Sequence, residues 1–232
     1  IVKILDASRF VNELFAFFKE HYTDYLTLKT LLEGAHYTKD IEKEIDKILD
    51  KRLNVKDDAS AELLRIRQGI NSKKKQINRN FDKALKSARA SGYIDDISEN
   101  VIDNRRVMTV ISTYKRQVEG SILGSSKTGS LTYIEPRVNQ ALNFELDQLI
   151  DDERKEIRKI LAELTDFLRG YLDLISSYQN ILCAFDEVNA KVKLAQKIEG
   201  VKPVINFENQ DTFLKDAYHP ILKVKNDAVK LK

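Results

Sequence analysis

The sequence predicts a mostly α-helical protein, with a helical body and a long antiparallel two-helix arm tipped by a small antiparallel sheet. Three observations carry this. Glycine (8) and proline (3) are scarce among 232 residues, which favours long helices over a turn-rich all-β chain. The stretches 58–92 and 137–170 repeat apolar residues at spacings of three, four and seven, the seam of paired helices. Between them, 93–136 changes to short β-rich runs separated by glycines.

Taken in order, residues 6–53 read as three short helices. Val11, Leu14, Phe15 and Phe18 form one apolar stripe. Tyr25, Leu26, Leu28, Leu31 and Leu32 form the next, closed by Gly34. Thr38 stands as the N-cap of a third helix carrying Ile41, Ile45, Ile48 and Leu49. The pair Asp57-Asp58 then opens the first long helix, where carboxylates meet the positive end of the dipole.

That helix places Leu63, Ile66, Ile70, Ile77, Phe81, Ala84 and Ala88 on one seam. The tip reads as three strands, Val107–Ser112, Gly120–Gly124 and Ser130–Pro136. Pro136 suits the first turn of the returning helix, where its missing N–H costs nothing. The return seam is Leu142, Leu146, Leu149, Ile157, Ile160, Leu164 and Phe167. Pairing the arms from a level tip sets Phe81 near Leu146, Ile77 near Ile150, Ile70 near Ile157 and Leu63 near Leu164. Lys73–Lys75 then face Asp151, Asp152, Glu153 and Glu156 in a polar layer that fixes register.

Beyond Gly170, residues 171–197 read as a further helix buried against the N-terminal ones. From Val201 the pattern turns strand-like, in Lys202–Phe207 and Ala217–Val224. The single cysteine, Cys183, excludes an internal disulfide and lies in an apolar run that predicts a buried structural thiol. No apolar stretch reaches the ~18 residues of a membrane span, and no signal peptide is visible, so a cytoplasmic protein without a membrane partner is expected. The chain starts at Ile1 and reads as a piece of something longer.

Catalytic patterns are not found. His21, His36 and His219 are scattered without metal-ligand spacing, and Asp151-Asp152 lie beside Arg154 and Lys155 as a solvated helix face does. The segment Gly120–Gly129 has glycines and Lys127-Thr128 but not the spacing of a phosphate loop. Neither a catalytic residue, a metal site nor a cofactor is therefore assigned to these residues. The net charge of +3 is too small for a generally nucleic-acid-coating protein, so a binding signal must be local. It is local to the tip: Arg105, Arg106, Lys115, Arg116, Lys127 and Arg137 stand against Asp103, Glu119 and Glu135. Ser125 and Ser126 add small donors near Gly124 and Gly129. Cations with hydroxyls and open backbone N–H groups suit phosphate contacts, and the candidate backbone-binding set is Arg105, Arg106, Lys115, Arg116, Ser125, Ser126 and Lys127. Tyr114 and Tyr133 are isolated, so no platform for stacking single-stranded bases is read. A coiled-coil interaction arm without nucleic acid is the competing reading.

Several segments together resemble the MutS family of DNA-handling ATPases, most closely its second bacterial branch, which lacks the mismatch-reading front domains. They are Val55–Arg67, Asn104–Ile111 leading to Tyr114, Gly120, Gly124–Pro136, Ala184–Lys191 and Ala217–Leu222. The block Ser125-Ser126-x-x-Gly129-x-x-x-x-Ile134-Glu135-Pro136 is the most specific. Tyr218 departs from the arginine expected before His-Pro, and Arg106–Val110 is less proline-rich than the usual clamp strand.

The resemblance implies a division into core (1–57 and 171–200), lever helices (58–92 and 137–170) and a β clamp (93–136). Residues 201–232 would be the first strands of a truncated α/β ATPase domain. It implies a homodimer that closes on double-stranded, branched or mismatched DNA to control recombination or repair, its levers relaying nucleotide state to the clamp. ATP and magnesium are then expected for the full-length protein and not for these residues. Ribosomal RNA on stalled ribosomes is a second target the resemblance implies for the same basic tip.

Overall fold

The computed structural model describes residues 1–205, 213 and 219–225. They divide between two compact units, 1–43 with 168–232 and 44–167. Helices α1 (Val2–Glu20), α2 (Leu26–Lys29) and α3 (Asp40–Ile48) come first, α2 running into a 3-10 turn at Thr30–Leu32. Helix α4 (Ala61–Ala90), strands β1 (Ile94–Ile102), β2 (Arg105–Ile111), β3 (Gly120–Ser125) and β4 (Leu131–Pro136) and helix α5 (Arg137–Arg169) follow. Helices α6 (Leu172–Ile198) and α7 (Pro220–Lys225) complete the described chain.

In the first unit α1 packs against α6, burying Leu5, Val11 and Phe18 on one helix and Leu174, Tyr178 and Ile181 on the other. Polar groups fix the loop beside them. Asn12 Nδ2 donates to the Thr38 carbonyl at 2.7 Å and to Glu42, while the Thr38 N–H donates to Asn12 Oδ1 at 3.2 Å. The Thr38 hydroxyl also accepts the Asp40 N–H at 3.2 Å, at the start of α3. Tyr178 Oη donates to the His36 carbonyl at 2.7 Å. Burial, the dominant influence, pushes the Tyr178 hydroxyl above its ordinary pKa.

Two expectations fail here. Cys183 is exposed, its sulfur accepting a hydrogen bond from Gln179, because it falls on the outer side of α6 from Tyr178 and Ile181. The stretch from Val201 is not strand where it is described. Residues 201–205 carry no regular structure, and Pro220–Lys225 is helical, started by Lys223 N donating to the His219 carbonyl. Proline supplies a fixed φ suited to a first helical turn, and that outweighs the β-branched pattern. The remainder of the expected strands, with Tyr218, lies outside the described residues.

In the second unit Ser60, rather than Asp58, starts α4: its hydroxyl oxygen accepts the Leu63 N–H at 3.0 Å. Asp57 is turned instead to Arg67, which also holds Glu153 at 2.7 Å. Partial burial disfavours the Arg67 charge, but the hydrogen bonds with Glu153 and Asp57 outweigh it and hold its pKa above the ordinary value. Leu63, Ile66, Ile70 and Ile77 of α4 and Ile160 and Leu164 of α5 are buried on their seams.

The helix register differs from the expected one. Lys73 pairs with Glu145, Ser60 donates to Glu156 at 2.8 Å, and Asn139 donates to the Ile77 carbonyl at 3.0 Å. A level tip would have put Lys73 near Arg154, so the slip is about nine residues, some two and a half turns. The cause lies at the tip. Phe81 and Ala88 do not face α5; they pack with Met108, Val110 and Ile134 under the sheet. Helix α4 thus overshoots the start of α5 and spends its last turns on strands. Asp151 and Asp152 pair within their own helix, with Arg154 at 3.1 Å and Lys155 at 2.9 Å.

The sheet runs β1-β2-β4-β3, antiparallel throughout. Strand β1 escapes the sequence pattern because Asp95, Asp96 and Glu99 interrupt its apolar alternation. It is held by a two-residue turn at Asp103-Asn104, where both φ values are positive (48° and 61°) as a hairpin of this length requires. Alternate side chains serve opposite faces. Met108, Val110 and Ile134 meet α4, whereas Arg105 and Glu135 meet the first turns of α5.

Candidate functional site

Arg105 and Arg106 head β2 directly after the hairpin turn, so they point to opposite faces and reach different helices. Arg105 Nη1 lies 3.3 Å from Glu135 and Nη2 lies 2.8 Å from Asp147 of α5. Glu135 is only 2% exposed and also accepts a hydrogen bond from Asn143. Partial burial disfavours the Arg105 charge, yet the Asp147 hydrogen bond and the two carboxylate fields raise its pKa above the ordinary value. Arg106 donates to Asn78 at 3.0 Å, pairs with Asp82 at 3.2 Å and with Glu99, and lies over the Phe81 ring at 4.2 Å.

These two arginines therefore bolt the sheet to α5 on one face and to α4 on the other. Carboxylates hold both guanidiniums, and Asn78 holds Arg106 as well, where the sequence pattern alone reads as unpaired charge. Asp82, Asn143 and Asp147, which complete this framework, were not singled out in the sequence. Nothing short of the fold joins positions so far apart.

Lys115 and Arg116 differ. They follow a 3-10 turn at Ser112–Tyr114, are exposed, and form no ion pair with another described residue. Lys127, in the turn between β3 and β4, is likewise exposed and unpaired among the described residues. Ser112 draws the two loops together: its N–H donates to the Ser130 carbonyl at 2.9 Å and its hydroxyl to the Gly129 carbonyl at 2.7 Å. Ser112, three residues before Lys115, is thus joined to the turn that carries Lys127.

The serines divide. Ser125 is exposed at the end of β3. Ser126 is turned inward, its oxygen accepting the Leu131 N–H at 3.1 Å, and it closes a hydroxyl cluster with Thr128 and Ser130. The Ser-Ser-x-x-Gly segment is therefore a turn whose glycine, Gly129, takes φ +71°. Gly120, opposite Pro136, sits where a Cβ would enter the Glu135 carbonyl oxygen and the Ile134 side chain. The arrangement offers three unneutralised cations, a surface hydroxyl and tight turns, the chemistry of phosphate contact without base readout.

No family model matches the chain. It is similar to proteins named Endonuclease MutS2. That of Alkaliphilus metalliredigens (strain QYMF) is 30% identical over 224 residues, which are 96% of this chain and 28% of the relative. That of Leuconostoc citreum (strain KM20) is 32% identical over 183 residues, 79% of this chain and 23% of the relative. That of Clostridium perfringens (strain SM101 / Type A) is 32% identical over 205 residues, 88% and 26%. The chain spans about a quarter of the length of these relatives.

Proposed function

We propose, from the premise that this chain belongs to the MutS2 branch of the MutS family, that it is a core–lever–clamp portion binding DNA by its phosphate backbone. In this reading residues 1–57 and 171–200 form the core, 58–92 and 137–170 the levers and 93–136 the clamp. Residues 201–232 begin an ATPase domain. Lys115, Arg116 and Lys127 supply the charge and Ser125 a hydroxyl. Arg105 and Arg106 hold the sheet in place behind them. The single observation that supports it best is the contrast between those two roles: Arg105 and Arg106 are paired internally with carboxylates, yet Lys115, Arg116 and Lys127 in the connecting loops are left exposed.

The full-length protein is then a homodimer whose two clamps enclose double-stranded or branched DNA. Gly120–Gly129 lies in a strand and a strand–strand turn, not in a loop opening a helix, so no nucleotide-dependent step is assigned to it. No strand scission is assigned to these residues either.

The test is a chain with Lys115, Arg116 and Lys127 changed to alanine, titrated against duplexes of unrelated sequence. The parent chain should bind in the ~10⁻⁴–10⁻⁶ M range of non-specific contacts. The variant should lose about 2.7 from its log–log salt slope, at about 0.9 per phosphate contact, equally for every sequence. An unchanged slope would remove the tip from the binding site.

A further inference from the structure

A second basic surface lies along α4, away from the tip loops. Between Lys74 and Ala90 the helix carries six cations and one carboxylate, Asp82, which Arg106 already engages. Lys75, Arg79, Lys83, Lys86 and Arg89 follow one another at steps of three or four residues, so they share one face. At 3.6 residues per turn that face is about opposite the buried one that carries Ile77, Phe81 and Ala88. All five are exposed, and none forms an ion pair with another described residue. From Lys75 to Arg89 the row extends about 21 Å at ~1.5 Å per residue.

The first half of the returning helix has the opposite sign. From Arg137 to Glu153, α5 carries five carboxylates and one cation. Arg154, Lys155, Arg158 and Lys159 follow, so the excess of positive charge over a long stretch is confined to α4 between Lys74 and Ala90. Tyr114 and Val118, which bracket Lys115 and Arg116, pack instead on the cluster containing Phe81 and Ala88, on the face of α4 opposite the row. Nothing within the fold gains from the row, since like charges at i, i+4 are mildly destabilising and these side chains pair with nothing described.

We propose that this face of α4 is a docking track for duplex DNA, gripping phosphates along the arm as well as at its tip. The choice of DNA rests on the tip-binding reading above; the location does not. One cation per roughly 5 Å of helix compares with one phosphate per ~3.4 Å along each DNA strand, so the row can engage a single backbone. No aromatic residue shares the face, which removes stacking and disfavours single strands. Point charges without a base-reading set make the contact independent of sequence.

The experiment compares three variants of the chain on a 30-base-pair duplex, by fluorescence anisotropy between 50 and 200 mM salt. The first changes Lys75, Arg79, Lys83, Lys86 and Arg89 to glutamine. The second is the tip variant. The third removes the same net charge elsewhere, with Lys39, Lys51, Lys159, Lys193 and Lys197 changed to glutamine. Five lost contacts would lower the log–log slope by about 4.5, which across that salt range is a difference of about 500-fold. A fall of 2 or more in the first variant, exceeding that of the third, supports the track. A smaller fall, or an equal one in the third, overturns it.

Loss confined to the tip variant sinks the track and leaves the tip reading intact. Loss confined to the first variant does the reverse. Tighter, row-dependent binding of an RNA duplex of equal length would overturn the choice of DNA. If the five-fold variant loses helicity by circular dichroism, K83Q/K86Q decides instead, with an expected fall of about 1.8 and a fall below 0.9 refuting.

Discussion

Replacing Glu135 by alanine should loosen the tip sheet from α5 more than any surface change nearby. The carboxylate is almost fully buried and holds two donors, the Arg105 guanidinium and the Asn143 amide. Removing one partner of a buried ion pair typically costs ~3–5 kcal/mol. Here Arg105 retains Asp147 and its side chain is 31% exposed, so solvent screening brings the expectation down to about 2–3 kcal/mol. Glu135→Gln keeps the shape and one acceptor, and should cost about 1–2 kcal/mol. Because the chain has two units, a global melt would blend their transitions, and a local readout is required. Amide hydrogen exchange of Val107–Val110 and Thr132–Ile134 supplies it: protection should fall by roughly 30- to 150-fold in the alanine variant, with the first unit unchanged. Protection within threefold of the parent would refute the claim that Glu135 joins sheet to helix.

Three further outcomes follow from the same contacts. Lys73→Glu should weaken the arm by up to ~1 kcal/mol, Glu145→Lys added to it should restore the loss, and Asp151→Lys added instead should not; amide hydrogen exchange of α4 and α5 distinguishes these. Gly120→Ala should cost about 2–3 kcal/mol by driving a Cβ into the Glu135 carbonyl, whereas Gly124→Ala, with its nearest atoms at 3.6 Å and 3.7 Å, should cost under ~1 kcal/mol, both read by amide hydrogen exchange within the sheet. Tyr178 has its pKa raised in the fold above the ordinary 10.0, so its stabilising effect is fully present below pH 10 and is lost as pH rises through the folded value. Tyr178→Phe should be less stable at neutral pH by ~1 kcal/mol yet lose less stability above pH 10, measured by urea unfolding at several pH values with a probe confined to the first unit.

The long helices and the sheet-bearing insert were legible because their signals are local and repeated. The spacing of Leu63, Ile66 and Ile70 specifies a buried helical face whatever lies against it. The register was not legible, because a seam with a recurring period fits its partner at several offsets. What selects among them is the packing of Phe81 and Ala88 under Met108, a contact of residues twenty or more positions apart. Strand β1 was hidden for a related reason: its carboxylates sit on an edge strand that uses charge where an inner strand would use alternation.

The basic tip was legible as composition but not as chemistry. A count of arginines and lysines cannot distinguish Arg105 and Arg106, held by Glu135, Asp147, Asp82 and Glu99, from Lys115 and Arg116, which meet no carboxylate among the described residues. The partners of a charge are set by tertiary neighbours. Cys183 was misplaced for the converse reason, since an apolar run of five residues on a helix shows at least one of them to solvent.

The central claim is that this arm and its tip meet DNA through their unpaired cations, and lysine acetylation footprinting reads it residue by residue. The chain would be labelled briefly with and without saturating duplex, and each lysine quantified by mass spectrometry. Lys75, Lys83, Lys86, Lys115 and Lys127 should be protected, while Lys155 and Lys159 on the second half of α5 should label alike in both samples. Unchanged labelling of the first group, or equal protection of both, would contradict it.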